Sequence, residues 1–249
     1  MQKYIAVVNP RMDDDEISHL IGKGIAGALF QISHQNYALA AKMIKQVKDL
    51  AGKNNRPISI IQDTSEMTDP LDMQFGMKSG VDWVASDKPE HVKMARGLNK
   101  LAGVIYKGRN LPKGLKVDSV MAEGFFDPDA QVLGQKDGQI RHIISEHQDQ
   151  VLLDSLMHFA THAGASAIAV SDLDLARSLS WRRPDQKIIF APQDRSLAAK
   201  GALYWGVHPV FFANNLSSTL LDAKVTHNQE RILDARDPKH VTISLLQLA

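Results

Sequence analysis

The chain has 249 residues, 44% hydrophobic and 23% charged, with 29 basic against 28 acidic residues and a net charge of +1. That balance belongs to a globular protein of one large or two medium domains, and no basic block is dense enough for a nucleic-acid or membrane partner. The sequence contains no cysteine, which excludes disulfides, thiolate nucleophiles and cysteine-ligated metals.

Residues 1–10, MQKYIAVVNP, read as the approach to a strand. A signal peptide needs a basic flank and a longer apolar core. No apolar run approaches the roughly 18 residues of a membrane span, so the expected location is the cytoplasm. Strands are predicted at 4–9, 27–32, 58–63, 82–86, 102–106 and 118–121, with helices at 14–24, 36–54 and 89–101 between them. Asp13, Asp14 and Asp15 stand where the first helix begins, and its positive end favours them. In the second helix Ala40, Met43, Ile44, Val47 and Leu50 recur at three- and four-residue spacing, an amphipathic stripe. Strands alternating with helices imply βα units and a parallel sheet.

Residues 127–139, DPDAQVLGQKDGQ, are polar and turn-rich. They place a domain boundary near 140, giving domains 1–140 and 141–249. A helix over 144–163 is followed by a second βα series. Its strands fall at 166–171, 187–192 and 206–213, its helices at 172–181 and 194–204, and a last strand at 240–248.

No GxGxxG, Walker or GxSxG motif is present, and the 10 histidines show no HExxH spacing. A histidine metal site is therefore not expected. Polar residues collect instead at the carboxyl ends of the first six strands: Asn9, Ser33 and His34, Asp63 and Thr64, Ser86, Lys107 and Arg109, and Glu123. In a (β/α) barrel this edge carries the chemistry. Singly such residues are helix caps and loop residues; together they suggest a pocket with a cationic centre, suited to a small anion.

At these residues the chain resembles pyruvate kinase. SAIAVSDLDLARSLSWRRPDQKIIFAP followed by LAAKGALYWGVHPVFF is similar to that family's C-terminal domain. Arg183-Pro184, Trp205-Gly206-Val207 and Pro209 match its RP and L-x-W-G-V-x-P pattern in order and spacing. GIAGALFQISHQ stands where the family has G-x-x-V-A-R-L-N-F-S-H-G, and PISIIQDT where it has an apolar strand ending in Asp-Lys-Gly-Pro. GVDWVASD, VIYKGRN and DSVMAEG stand at G-x-D-x-[VI]-A-x-S-F, at the strand ending K-I-E-N and at D-A-V-M-L-S-G-E. The resemblance implies an α/β fold: a (β/α) barrel domain followed by a three-layer α/β domain.

About sixteen residues separate Thr64 from Val81, which leaves no room for the family's β-rich lid domain. About two strand–helix units are also missing between VIYKGRN and DSVM. The expected barrel is therefore partial or shortened.

The family transfers a phosphoryl group between phosphoenolpyruvate and ADP, a step that rests on metal ions and cations holding phosphoryl oxygens. The resemblance carries its catalytic lysine to Lys107, its monovalent-cation ligands to Ser33 and Asp63, and the adjacent threonine to Thr64. The phosphate-holding arginine is Leu29 here, the cation-ligating asparagine is Gln31, and the metal-binding glutamate is Arg109. The metal-binding aspartate falls in the missing segment. A guanidinium has no acceptor atom and does not deprotonate. Two unit charges 4 Å apart interact by roughly 4 kcal/mol at an effective dielectric near 20, and Mg²⁺ doubles that repulsion. Magnesium-dependent transfer is therefore expected to be lost and Lys107 to be vestigial. No cofactor is expected, and Mg²⁺ and K⁺ only if activity survives.

Two readings of the remaining cations stay open. Lys107 and Arg109, with Ser33, Asp63 and Thr64, form a ligand-binding set for a carboxylate or phosphate, or Arg109 bridges to Asp63 or Glu123 as a structural pair. The expected function is a regulatory or interaction subunit, or a non-catalytic binder of phosphoenolpyruvate- or pyruvate-like acids. The alternative is an enzyme acting on these acids, through residual kinase activity or a Schiff base at Lys107. In the second domain the family's phosphate loop aligns with VSDLDLA, where Asp172 and Asp174 oppose a phosphate and Asp172 reads as an N-cap. A shortened barrel exposes apolar surface, so a homo-oligomer is expected, a dimer or tetramer.

Overall fold

The computed structural model describes residues 3–33, 35–67, 69–98, 100–106, 119–122, 150–212, 215–216, 219–220, 230–237 and 242–245. The chain divides into two compact units: Tyr4–Asn54 with Ile58–Ile143, and Met1–Lys3 and Asn55–Pro57 with Ile144–Ala249. Both are α/β units built on largely parallel sheets.

In the first unit β1 (Ile5–Val7), β2 (Gly27–Gln31), β3 (Ser59–Asp63), β4 (Trp83–Ala85), β5 (Leu101–Tyr106) and β6 (Ser119–Ala122) form one sheet in chain order. Every ladder is parallel. The connecting helices are α1 (Asp14–Gly22), α2 (Tyr37–Lys53), α3 (Pro70–Lys78) and α4 (Pro89–Gly97). A strand order that never reverses, joined by right-handed crossovers, puts these helices on one face. Ala28, Phe30, Ile60 and Val84 accordingly share a buried cluster with Ile17, Ile21, Ile44 and Val47. The two-residue alternation of strands turns Leu29, Gln31, Ile61, Asp63, Trp83 and Ala85 to the other face. Among the described residues the ladders end at β1 and β6 without joining them.

Local chemistry sets the helix boundaries. Asp13 caps α1 in a capping box with Glu16, and Asp14 and Asp15 fill its first turn. The stripe Ala40, Met43, Ile44, Val47, Leu50 is buried along α2. Helix α3 lies in the segment where the sequence only ruled out a lid. Asp69 caps it, accepting from Leu71 N at 2.8 Å, and Pro70 opens it. The Tyr37 hydroxyl donates to Asp72 at 2.6 Å while its ring stacks on Phe75 at 4.0 Å, tying α2 to α3. The hydrogen bond to Asp72 raises the Tyr37 pKa to about 12. Gly76 sits inside α3 because a Cβ there would strike the Gln62 amide. That amide is buried and donates to Asp72 O at 2.9 Å.

The second unit opens with α5 (Gln150–His162), so the described helix starts later than the 144 read from the sequence. It continues through β7 (Ala167–Val170), α6 (Leu173–Arg182), β8 (Lys187–Phe190), α7 (Arg195–Lys200), a 3-10 turn (Gly201–Leu203), β9 (Val207–Pro209), β10 (Arg231–Asp234) and β11 (Thr242–Leu245). The sheet order is β11-β10-β7-β8-β9, parallel except for the antiparallel edge strand β11. Ala167, Ala169, Ile189 and Ile232 pack on one face. Ile168, Val170, Ile188 and Phe190 are equally buried on the other, so β7 and, after Lys187, β8 are apolar runs without alternation. The Arg183 guanidinium lies 5.6 Å from the Trp205 ring centroid, joining the RP and WG segments. Among the described residues no helix is long and apolar enough to cross a membrane.

Candidate functional site

Six parallel strands bring all their carboxyl ends to one edge of the first sheet, and the polar residues expected there cap their own loops first. Asn9 Oδ1 accepts from Arg11 N at 3.0 Å. Ser33 N donates to Asn36 Oδ1 at 2.9 Å, and Asn36 Nδ2 reaches back to Gln31 O at 3.2 Å. Asp63 Oδ1 accepts from Ser65 N at 2.9 Å and from the Ser65 hydroxyl. Gln31 and Asp63 are register partners across β2 and β3, on the face away from the helices.

Thr64 and Ser86 sit on the helix side of the same edge, both with no exposed surface. Thr64 prolongs the β3–β4 pairing, its N–H on Ala85 O at 2.9 Å and its hydroxyl on the same oxygen at 3.2 Å. Between Thr64 and Ser86 stands His91, whose Nδ1 is 3.1 Å from each hydroxyl. Ser86 Oγ accepts from Lys88 N at 3.2 Å, and Lys88 Nζ donates to Met67 O at 2.7 Å. The loops after β3 and β4 are thus joined through one imidazole.

Burial, then the Lys88 ammonium, lower the His91 pKa, against smaller opposing effects of Glu90, the Thr64 main chain and Asp87. His91 also lies in the first turn of α4, where the positive helix end disfavours an imidazolium. The ring is therefore neutral at pH 7. Among the described residues the acceptor within reach of the Ser86 proton is His91 Nδ1. A buried hydroxyl left unpaired costs about 1–3 kcal/mol. We therefore assign Nδ1 as the acceptor and Nε2 as the protonated nitrogen. Ser86→Ala removes a donor that favours the neutral ring. The His91 pKa, followed through its Cε1 proton by NMR, should rise toward the ordinary value, with about 1 kcal/mol of stability lost. A fall in that pKa would reverse the tautomer.

Of the residues expected in the site, the structure brings Thr64 and Ser86 together and puts Asp63 and Gln31 side by side. Lys107, Arg109, His34 and Glu123 lie outside the described residues. His91 escaped the sequence reading because it stands six residues past the end of β4, on a helix. The available signal was a histidine in the first helical turn after a strand closing on serine. Among the described residues no three histidine, aspartate or glutamate side chains gather as a metal site. No family model matches the chain, and no curated protein matches it.

Proposed function

We propose that this chain is a pyruvate kinase-like α/β protein that binds a small carboxylate or phosphate at the carboxyl edge of its first sheet without transferring phosphoryl groups. On this reading it works in the cytoplasm as a regulatory or interaction subunit, within a homo-oligomer. The observation that carries the reading is the composition of that edge on the face away from the helices. Leu29 and Gln31 precede Ser33 on β2, where the family pattern has an arginine and an asparagine. Asp63 pairs in register with Gln31 and engages its own loop through Ser65. Lys107 and Arg109 follow β5 in the sequence and supply the positive charge an acid would need. Ser33, the Gln31 amide and two cations can hold an anion, and Asp63, engaged with its own loop, does not by itself assemble the anionic oxygen cage that a divalent metal requires.

Isothermal titration with phosphoenolpyruvate, pyruvate and inorganic phosphate tests the reading, alongside a coupled assay for ATP formation from ADP and phosphoenolpyruvate. Binding without turnover is the expected result. Lys107→Met should weaken binding by about 2 kcal/mol, roughly thirtyfold, the loss of one charge-assisted hydrogen bond. Turnover above background, or no binding of any of the three, would refute it.

A further inference from the structure

Helix α5 carries two histidines four residues apart, His158 and His162, in the segment HFATH. Residues at i and i+4 lie on one face of a helix, one above the other. The spacing is that of the two histidines in HExxH, with phenylalanine in place of the glutamate. Both side chains are exposed. Their rings lie together, with centroids 4.0 Å apart and planes tilted by 38°. Neither histidine serves the core, which α5 reaches through Leu153, Leu156 and Ala160.

Hydrogen bonding sets the tautomer of one ring. His162 Nδ1 lies 3.1 Å from His158 O. A carbonyl oxygen only accepts, so Nδ1 carries the proton and donates, and the lone pair of the neutral ring is on Nε2. Metal-ligating histidines are held in this way, one ring nitrogen on a main-chain carbonyl and the other on the ion. Among the described residues no hydrogen bond engages either ring nitrogen of His158. Two nitrogens on one ion, each at about 2.0–2.1 Å, stand about 3 Å apart. Rings 4.0 Å apart at their centroids reach that separation by rotation of the exposed His158 ring.

Nearby charges have partners of their own. Asp154, one turn before His158, is paired with Arg182 at 3.3 Å. Arg231 Nη1 donates to Ala163 O at 3.0 Å, just beyond His162. His162 stands in the last turn of α5, where the negative end of the helix favours a cation and offsets that guanidinium. A pair of imidazoles without a carboxylate does not suit Mg²⁺ or Ca²⁺. It suits Cu²⁺, Ni²⁺ and Zn²⁺, copper most tightly. We propose that His158 and His162 chelate one divalent transition-metal ion on the surface of α5, with water in the remaining coordination positions. The proposal rests on the second unit alone and stands or falls independently of the anion site on the first.

The test is calorimetric titration of the metal-free full chain with Cu²⁺, Zn²⁺ and Mg²⁺, joined to NMR of the histidine Cε1 protons. Cu²⁺ binds with a dissociation constant below about 0.1 mM and more tightly than Zn²⁺, and Mg²⁺ does not bind. Substoichiometric Cu²⁺ broadens the signals of His158 and His162 ahead of those of the other histidines. His158→Gln and His162→Gln, both exposed changes, each weaken Cu²⁺ binding by about tenfold or more, because the second imidazole no longer binds intramolecularly. Acid weakens binding as well, since a ligating imidazole must be neutral. The proposal is overturned if no Cu²⁺ binds below about 0.1 mM, if other histidine signals broaden first, or if Mg²⁺ binds as well as Cu²⁺. It also fails if either substitution leaves the affinity at the parent's value, since the two rings would then not share one ion.

Discussion

Gly201→Ala should destabilise the second unit by about 2 kcal/mol, although alanine is the better helix residue. Gly201 has φ −76° and ψ −12°, a right-handed helical backbone that any residue adopts. The substitution relieves a glycine in a helical turn, a change worth up to about 1 kcal/mol in favour of alanine. Opposing it, a Cβ at this position would lie 2.5 Å from Phe190 Cδ1 and 3.0 Å from Cε1. Phe190 has no exposed surface, and β8 is central, paired to Val170 on one side and Pro209 on the other. Its ring has nowhere to withdraw, so the new methyl must displace the 3-10 turn or force the ring off its rotamer. Urea unfolding measures the loss. Phe190→Leu in the same chain separates this cause from a backbone effect. The shorter side chain makes room for the methyl, and the double variant should be more stable than the two single losses sum to. A Gly201→Ala protein as stable as the parent would show that the turn approaches β8 less closely than described.

The same close packing explains what the sequence told in advance. Where one face of a helix is buried, the three- and four-residue stripe survives, and all five stripe residues of α2 lie in the core. Caps were equally legible because their chemistry is local: Asp13 and Asp172 both accept a main-chain N–H of the first turn. Helix α3 was not legible. Its stripe is broken by Gly76 and by the buried Asp72, which serve Gln62 and Tyr37 on other elements. Strand β10 escaped for a related reason, since RILD opens on a charge and ends on the aspartate that clamps Arg236. The sequence suggests a strand over 206–213, GVHPVFFA, but the described ladder with β8 covers Val207–Pro209, and Val210 N adds one bond to Phe190 O at 2.9 Å.

The candidate site divides along the same line. Strand ends can be read from a sequence, so Asn9, Ser33, Asp63, Thr64 and Ser86 were all found at the carboxyl edge. Which face each serves depends on the pleat. Thr64 and Ser86 prove to be anchors for His91 on the helix side, while Asp63 and Gln31 stand on the opposite face. Asp234 and Arg236 pair two residues apart in the chain, yet the reversal of strand order beside them belongs to the sheet, which no local pattern contains.

Acid should weaken the second unit through His208 in a window set by its pKa. His208 lies on β9 opposite Ile189. Burial, reinforced by the ammonium groups of Lys3 and Lys187, lowers its pKa from 6.5 to about 4. In the unfolded chain the imidazole takes a proton near pH 6.5. Between these values the unfolded state binds the proton and the folded state does not, so stability falls as pH falls. Above pH 6.5 both states are neutral and His208 contributes no pH dependence. The shift corresponds to about 3 kcal/mol at its limit, and solvent screening at a partly buried residue reduces this to about 1–2 kcal/mol. His208→Gln keeps a polar side chain but cannot charge. Denaturation of both proteins at steps from pH 7.5 to pH 4 should show the parent losing about 1–2 kcal/mol more than the variant, with the divergence beginning near pH 6.5. Carboxylates titrate in both chains and cancel in the difference. The Asp194 carboxyl, held low chiefly by the Ser196 N–H, titrates below the window. Parallel profiles down to pH 4 would mean that the folded protein accepts the proton on His208, and that β9 is open to water at that position.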